Sequence, residues 1–354
     1  MKTEIIILFF FSLTLSFNCR STLPQYTIDL DLPAGKRFEK VNTDLKEVIL
    51  KIKTAILSSF SPTLKSVYSF LFSLRNEDME LEEELKGLSE VVEIPVSEAR
   101  LLSLIYEFTT LSLSTNAQND YKMCLGMVAK TKEGVIYHGR NLDLGIVDLL
   151  KPALYDAVFT KQGKKLFTAQ MIAGYHGTVS GLKDGMFGLS EATRDYTTTT
   201  DSLQVIWNIV RGKTQATWNM RKVLENCNTY ACAYEKLSNE SITAPIYYIL
   251  SGLDDGVVIT RNPESVANVR KLSEVEKTTG ESFIIQANYD TFIEDPREKN
   301  DPRRFIAEDF IRGKEITQEL VFQTIDKEGV KLEITFWQGE YSAKTGYWNS
   351  TIPN

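Results

Sequence analysis

The chain has 354 residues, of which 43% are hydrophobic, enough for one large core or two modest ones. Its formal net charge is -7 and it carries no basic tract, which argues against a nucleic-acid partner. Only two histidines and four cysteines are present, so any catalytic site has few conventional bases to draw on.

Lys2 is followed by an apolar run from Ile5 to Leu15. A basic start and a short apolar core read as a secretory signal peptide over residues 1–20, and the run is too short for a membrane span. A buried N-terminal helix is the competing reading. Residues 37–110 have helical periodicity, with Val48, Ile49, Ile52, Ile56 and Leu57 set between charged residues. Pro62 breaks this run. A second apolar stretch, Val67 to Leu74, gives way to an acidic one, Glu77 to Glu84. Ser97, with Glu98 behind it, is the expected N-cap of a further helix through Leu101 and Ile105. Residues 112–120 are small and polar, the composition of an exposed loop where chains are cut.

From residue 124 the texture changes to short apolar runs between Gly and Asp turns. Strands are expected at 125–129, 135–137, 166–173, 178–182, 186–189, 246–250, 257–260 and 283–287, and helix over 202–237. No repeat or low-complexity linker is apparent. Two sequons, at Asn239 and Asn349, fit a secretory route. Cys227 and Cys232 are close enough for a local disulfide in an oxidising compartment. With Cys19 at the edge of the signal peptide, Cys124 is left as the odd thiol.

The stretch Cys124 to Asp143 reads as a hairpin with its turn at Thr131-Lys-Glu-Gly134. A two- or four-residue loop sets Lys130 opposite Val135 and Cys124 opposite Asn141, with Asp143 diagonal on the same face. Strict alternation then points Arg140 away, unless a bulge at Gly139 brings it round. An Arg, Asn and Asp cluster against a thiol suits a reactive cysteine, although a hairpin end with solvated charges gives the same letters. His138 and His176 are both poorly placed as a base for Cys124. An α-amino group on Cys124, released by a cut between Met123 and Cys124, is a base fixed beside its own thiol.

At these residues the chain resembles the acid ceramidase and N-acylethanolamine acid amidase family of N-terminal-nucleophile cysteine hydrolases. The motifs are His138-Gly-Arg-Asn-Leu-Asp143, Ala173-Gly-Tyr-His-Gly177, Val223-Leu-Glu-Asn226, Val258-Ile-Thr-Arg261, Gln286-Ala-Asn-Tyr-Asp290 and Asp301-Pro-Arg-Arg304. They cover most of residues 90–310, and the tail beyond about 313 matches poorly. The resemblance implies an α+β fold, an αββα sandwich preceded by a helical segment. It implies a signal peptide at 1–20, a small chain at 21–123 and a catalytic chain at 124–354. Cys124 is then the nucleophile, Arg140 and Asp143 orient its amine and thiol, Asn288 donates to the oxyanion, and Arg303 organises the charges. Asn141, Glu191, Arg194 and Tyr289 are expected to face substrate.

The family pattern has Thr where this chain has Leu125. It has an acidic residue where this chain has Thr193, and Glu191 lies two positions away. The activity implied is hydrolysis of a lipid amide, an N-acylethanolamine or a ceramide, in the lysosome or after secretion, with no cofactor or metal. The chain length and Arg194-Asp195 sit closer to the ethanolamide branch. The partners implied are the lipid, the two cut chains for each other, and a membrane surface or lipid-presenting activator. The rivals are a non-catalytic lipid-binding relative and an amidase for a soluble conjugated amide.

Overall fold

The computed structural model describes residues 21–58, 78–109, 124–194 and 199–353. The signal-peptide stretch, the apolar run 67–74, the polar loop 112–120 and Met123 lie outside the described residues.

Two strands open this region, β1 (Ser21–Thr22) and β2 (Gln25–Asp29), followed by helices α1 (Glu39–Asp44), α2 (Lys46–Ser58), α3 (Met79–Val92), α4 (Val96–Ser103) and α5 (Ile105–Thr109). Residue 77 lies outside the described residues, and the acidic stretch from Asp78 to Glu84 belongs to a helix start. Asp78 caps α3 by accepting from the Glu80 and Leu81 N–H groups, and Glu80 and Glu82 suit the positive end of the helix dipole. Ser97 does not cap α4. Pro95 precedes that helix, and Ser97 lies inside its first turn.

The rest of the chain builds two sheets. One has six strands in the order β1, β14 (Tyr347–Ile352), β13 (Thr335–Ser342), β4 (Ile136–Asp143), β3 (Cys124–Lys130) and β12 (Phe283–Gln286). The other has eight, running from β11 (Val266–Lys271) through β10 (Gly256–Arg261), β9 (Ile246–Ser251), β8 (Phe187–Thr193), β7 (Ser180–Lys183), β6 (Lys164–Ile172) and β5 (Leu154–Lys161) to β2. All eight strands expected from the apolar runs are present. The strands β5, β11, β13 and β14 were not expected, nor were β1 and β2 in a segment read as helical. Five of the six lie at or beside sheet edges, where the hydrophobic signal is weak. β13 and β14 fall in the tail with little family likeness, yet β13 pairs directly with β4.

The sheets pack face to face, closely enough that a Cβ on Gly126 would lie 2.3 Å from Ile249 Cδ1. Glycine at 126 is thus a packing requirement. Helices α11 (Arg303–Ile311) and α12 (Gln318–Asp326) cover the six-stranded sheet through Ala307, Ile311, Val321 and Ile325. The short helix α6 (Val147–Leu150) follows β4, helices α8 (Ala216–Asn226) and α9 (Tyr230–Asn239) lie on the eight-stranded sheet after α7 (Thr199–Val210), and α10 (Leu272–Thr279) follows β11. Cys227 and Cys232 form a disulfide at the start of α9. Asn239 is exposed at the end of α9, whereas Asn349 is half-buried within β14.

Two carboxyl groups sit where burial disfavours their charge. Glu340 on β13 is pushed up to about 8 and Asp156 on β5 to about 6, despite hydrogen bonds to Asp156 from Trp348 Nε1 and Ser350 Oγ. Both folded values exceed the ordinary ones, so the folded chain holds protons that the unfolded chain releases. Their contribution to stability is full below about pH 4 and is lost as pH rises through about 6 and then 8. The melting temperature is therefore expected to fall between pH 5 and 8. Glu340→Gln should raise it at pH 8 and leave it nearly unchanged at pH 5, as thermal unfolding at both values would reveal.

Candidate active site

The turn at the tip of the β3–β4 hairpin sets the register of the site. Thr131 N–H donates to Val135 C=O and Gly134 N–H to Thr131 C=O, with Gly134 at φ 73°, a conformation glycine adopts freely. Lys130 is therefore opposite Ile136, and Cys124 is opposite Leu142. This corrects the expected pairing of Cys124 with Asn141 by one residue. A one-residue slip exchanges the two faces. Arg140, opposite Gly126, now shares the face of Cys124, and pairing is regular from 124 to 130 without a bulge at Gly139. Asn141 belongs to the other face, where it donates to Ile325 C=O at 2.7 Å and accepts from Gln338 Nε2.

Arg140 is fully buried and its Nη2 donates both to Cys124 Sγ at 2.9 Å and to Glu191 Oε1 at 2.8 Å. Glu191 lies on β8 in the facing sheet, so this one nitrogen ties the two sheets together at the thiol. Cys124 N–H donates to Asn288 Oδ1 at 2.8 Å. Asn288 is held in turn: its Nδ2 donates to Thr193 C=O at 2.8 Å, and its Oδ1 also accepts from Arg303 Nη2 at 3.0 Å. Arg303 binds Asp301 through two nitrogens and Asp143 Oδ2 at 2.7 Å. Thr335 donates to the other Asp143 oxygen. Asp143 pairs with Thr335 at a bulge in β13, where Phe336 is the extra residue before Trp337. The same one-residue slip takes Asp143 off the face of Cys124, where it was expected, and sets it at the strand end on the face of Asn141.

Burial pushes the Cys124 thiol up to about 12, with Arg140 pulling the other way and Glu191 and Asp143 adding to the rise. The thiol is thus neutral in this setting. Burial likewise raises Asp143 to about 6 against the pull of Arg303, and raises Glu191 against the pull of Arg140. Neither histidine joins the cluster. His138 is bonded to Ser190 and Ser251, His176 packs edge-on against Phe38, and burial lowers both to about 3.

The thiol opens on a cavity of about 70 Å³ whose walls are nearly all apolar. Leu142, Ile172, Tyr175, Val179 and Phe336 come from the main body, and Ile56, Ile105 and Tyr106 from the N-terminal helices. Glu191, Thr193 and Asp143 are its polar lining.

The structure therefore brings together Cys124, Arg140, Asp143, Glu191, Asn288 and Arg303. Arg194 stands just outside, paired with Asp290 through two nitrogens, and Tyr289 faces Arg304. Sequence reasoning missed Thr335 and Phe336, which lie in the tail. The aromatic-rich stretch Thr335-Phe-Trp-Gln-Gly-Glu-Tyr-Ser342 was the available strand signal. Among the described residues no group of three or more His, Cys, Asp and Glu could hold a metal ion.

Two stacked sheets between helical layers, with a cysteine starting the strand between β4 and β12, have the arrangement of the N-terminal-nucleophile hydrolase fold. The solved Caenorhabditis elegans N-acylethanolamine-hydrolyzing acid amidase ortholog has the same fold, with a TM-score of 0.58 at 24% identity, covering 65% of this chain and 100% of that one. No family model matches the chain. Acid ceramidase of Bos taurus is 31% identical over 308 residues, 78% of this chain and 74% of that protein, and the Homo sapiens enzyme is 31% identical over 310 residues with the same coverage. The chain belongs to the acid ceramidase and N-acylethanolamine acid amidase family, and is an amidohydrolase acting on linear amides.

Arg303 balances Asp143 and Asp301 away from water, so removing it leaves two buried carboxylates without their cation. Arg303→Ala should cost about 3–5 kcal/mol of stability. Chemical unfolding of wild type and variant at neutral pH measures this.

Proposed function

We propose that the chain cuts itself between Met123 and Cys124 and then uses Cys124 to hydrolyse a fatty amide, an N-acylethanolamine or a ceramide, to a free fatty acid and an amine. The observation that carries this reading is the setting of Cys124. Its thiol is held by Arg140, its nitrogen by Asn288 Oδ1, and the residue lines an apolar cavity. A long acyl chain suits such walls, because burying it releases about 0.8 kcal/mol per CH₂.

A cut is needed because the nitrogen of an internal cysteine is a peptide nitrogen and cannot take a proton from the thiol. The thiol attacks the Met123 carbonyl carbon, its proton passes to the departing Cys124 nitrogen, and the acyl group moves from N to S. Water then hydrolyses the thioester, giving a Met123 carboxylate and a free Cys124 thiol with an α-amine. In turnover the amine takes the thiol proton as sulfur attacks the amide carbonyl, and passes it to the leaving amine. Water releases the fatty acid by the same route. Arg140 and Asp143 orient the thiol and amine. Asn288 Oδ1 holds the amine, and its Nδ2, a group with two hydrogens, is the proposed oxyanion donor. Arg303 fixes Asn288 and Asp143 relative to each other.

The small chain at 21–123 is proposed to stay attached to the chain at 124–354. In support, β1 and β2 pair with β14 and β5, and Glu84 of α3 makes two hydrogen bonds to the buried Arg221. Leu203 and Trp207, one turn apart and exposed on α7, support contact with a membrane surface or a lipid-presenting activator. No helix among the described residues is long and apolar enough to cross a membrane. The lysosomal or secreted location rests on the N-terminal run and the sequons.

Purified precursor incubated at acidic pH without protease is expected to yield two fragments, one ending at Met123 and one starting at Cys124, as mass spectrometry reads directly. Cys124→Ala should remain whole and inactive. Fatty-acid release from an uncut chain would sink the mechanism. A non-catalytic lipid-binding relative would bind lipid amides and release none.

Protein made in eukaryotic cells should shift in mobility on endoglycosidase treatment, and Asn239→Gln should remove more of the shift than Asn349→Gln. An unshifted, cytosolic product would contradict the luminal location.

A further inference from the structure

Glu191 has two carboxylate oxygens in different circumstances. Oε1 is occupied by Arg140 Nη2 at 2.8 Å, and the same nitrogen reaches Cys124 Sγ. Oε2 has no hydrogen-bond partner, although the residue is only 2% exposed. A buried carboxylate oxygen without a donor costs more than an ordinary unmade hydrogen bond, because the group stays charge-bearing and unsolvated. Glu191 is also part of the cavity lining, beside Tyr175, Val179 and Thr193. Its neighbours on that wall are mostly apolar and offer Oε2 little. The missing donor belongs to whatever fills the cavity.

Geometry narrows that donor. The sulfur must approach an amide carbonyl carbon, and the scissile nitrogen is bonded to that carbon. The guanidinium nitrogen shared by Sγ and Glu191 Oε1 holds the carboxylate beside the attacking sulfur, and both residues line the same cavity. We propose that Glu191 Oε2 accepts the N–H of the scissile amide, so that the site selects secondary amides over tertiary ones. The inference rests on the amidase reading and adds to it a substrate class and a residue. A matched N–H satisfies Oε2 on binding. An N-methyl amide leaves it buried and unpaired, and puts a methyl group against it. Glu191→Gln keeps the shape but cannot satisfy both sides equally. If its oxygen stays with Arg140, its NH₂ faces the substrate N–H, donor against donor.

The test compares kcat/KM for a fatty N-acyl amine and its N-methyl analogue in wild type and variants. Wild type is expected to prefer the N–H substrate by about 100-fold or more, as a site built around a hydrogen bond rejects the analogue lacking it. Glu191→Gln should lower that ratio about tenfold, since the loss through Arg140 falls on both substrates alike while the loss of the N–H acceptor falls on the N–H substrate only. Glu191→Asp keeps the charge beside Arg140 but withdraws the oxygen, and should also lower the ratio. It serves if the Gln variant does not mature. A merely structural role would slow both substrates alike and leave the ratio intact. An unchanged ratio in both variants overturns the proposal, and so does an effect that follows a head-group hydroxyl instead of the N–H. Absence of hydrolysis of either substrate by mature wild type would instead overturn the amidase reading.

Discussion

The site depends on one buried cation shared across two sheets. Arg140 comes from β4 and Glu191 from β8, and the guanidinium between them also donates to the thiol of β3. A guanidinium cannot lose its charge at accessible pH, so its burial is tolerable only with anions or acceptors held against it. That requirement fixes the spacing of the sheets at the thiol and makes the position of Glu191 a condition of the fold as well as of the site. A second group, Arg303 with Asp301 and Asp143, repeats the solution on the other side. Asn288 joins the two by accepting from Cys124 N–H and from Arg303.

The arrangement also shows how β8 serves the site with its acid at 191, where the family resemblance implies one at 193. Side chains two apart on a strand share a face. A carboxylate at 191 therefore shares its face with position 193. Glu191 reaches Arg140 from there, while Thr193 lines the cavity and lends its carbonyl to Asn288. The buried cation is thus paired although residue 193 carries no charge.

Much of this was legible in the sequence, for identifiable reasons. The eight strands read from the sequence are continuous apolar runs bounded by turns, and all eight appear. The hairpin was legible, but its register was not, because that depends on how many residues the turn spends. A five-residue connection, 131–135, replaced the two- or four-residue loop assumed, and parity moved Arg140 to the thiol and Asn141 to the helical layer. The same slip explains why Asn141 is structural: its amide satisfies the carbonyls of Ile325 and Val330. The strands β13 and β14 were hidden because charged and polar residues interrupt their alternation. No local pattern could indicate that Thr335 and Phe336 would form a bulge beside Asp143, since this depends on a pairing 192 residues apart.

The acidic setting has a consistent electrostatic logic under the proposed mechanism. A cut before Cys124 turns a peptide nitrogen into an amine on the residue that Glu191 and Asp143 already act on. Carboxylates near an amine stabilise its protonated form, which is useless as a base. Protonating one of them weakens that hold and lets the amine be neutral at a lower pH. Burial raises both Asp143, to about 6, and Glu191, so both take up protons more readily as pH falls. Asp143 and the amine then titrate as a coupled pair, and the proton taken by one eases its release from the other. Burial, which holds the thiol neutral and leaves catalysis in need of a base, is thereby also what tunes that base.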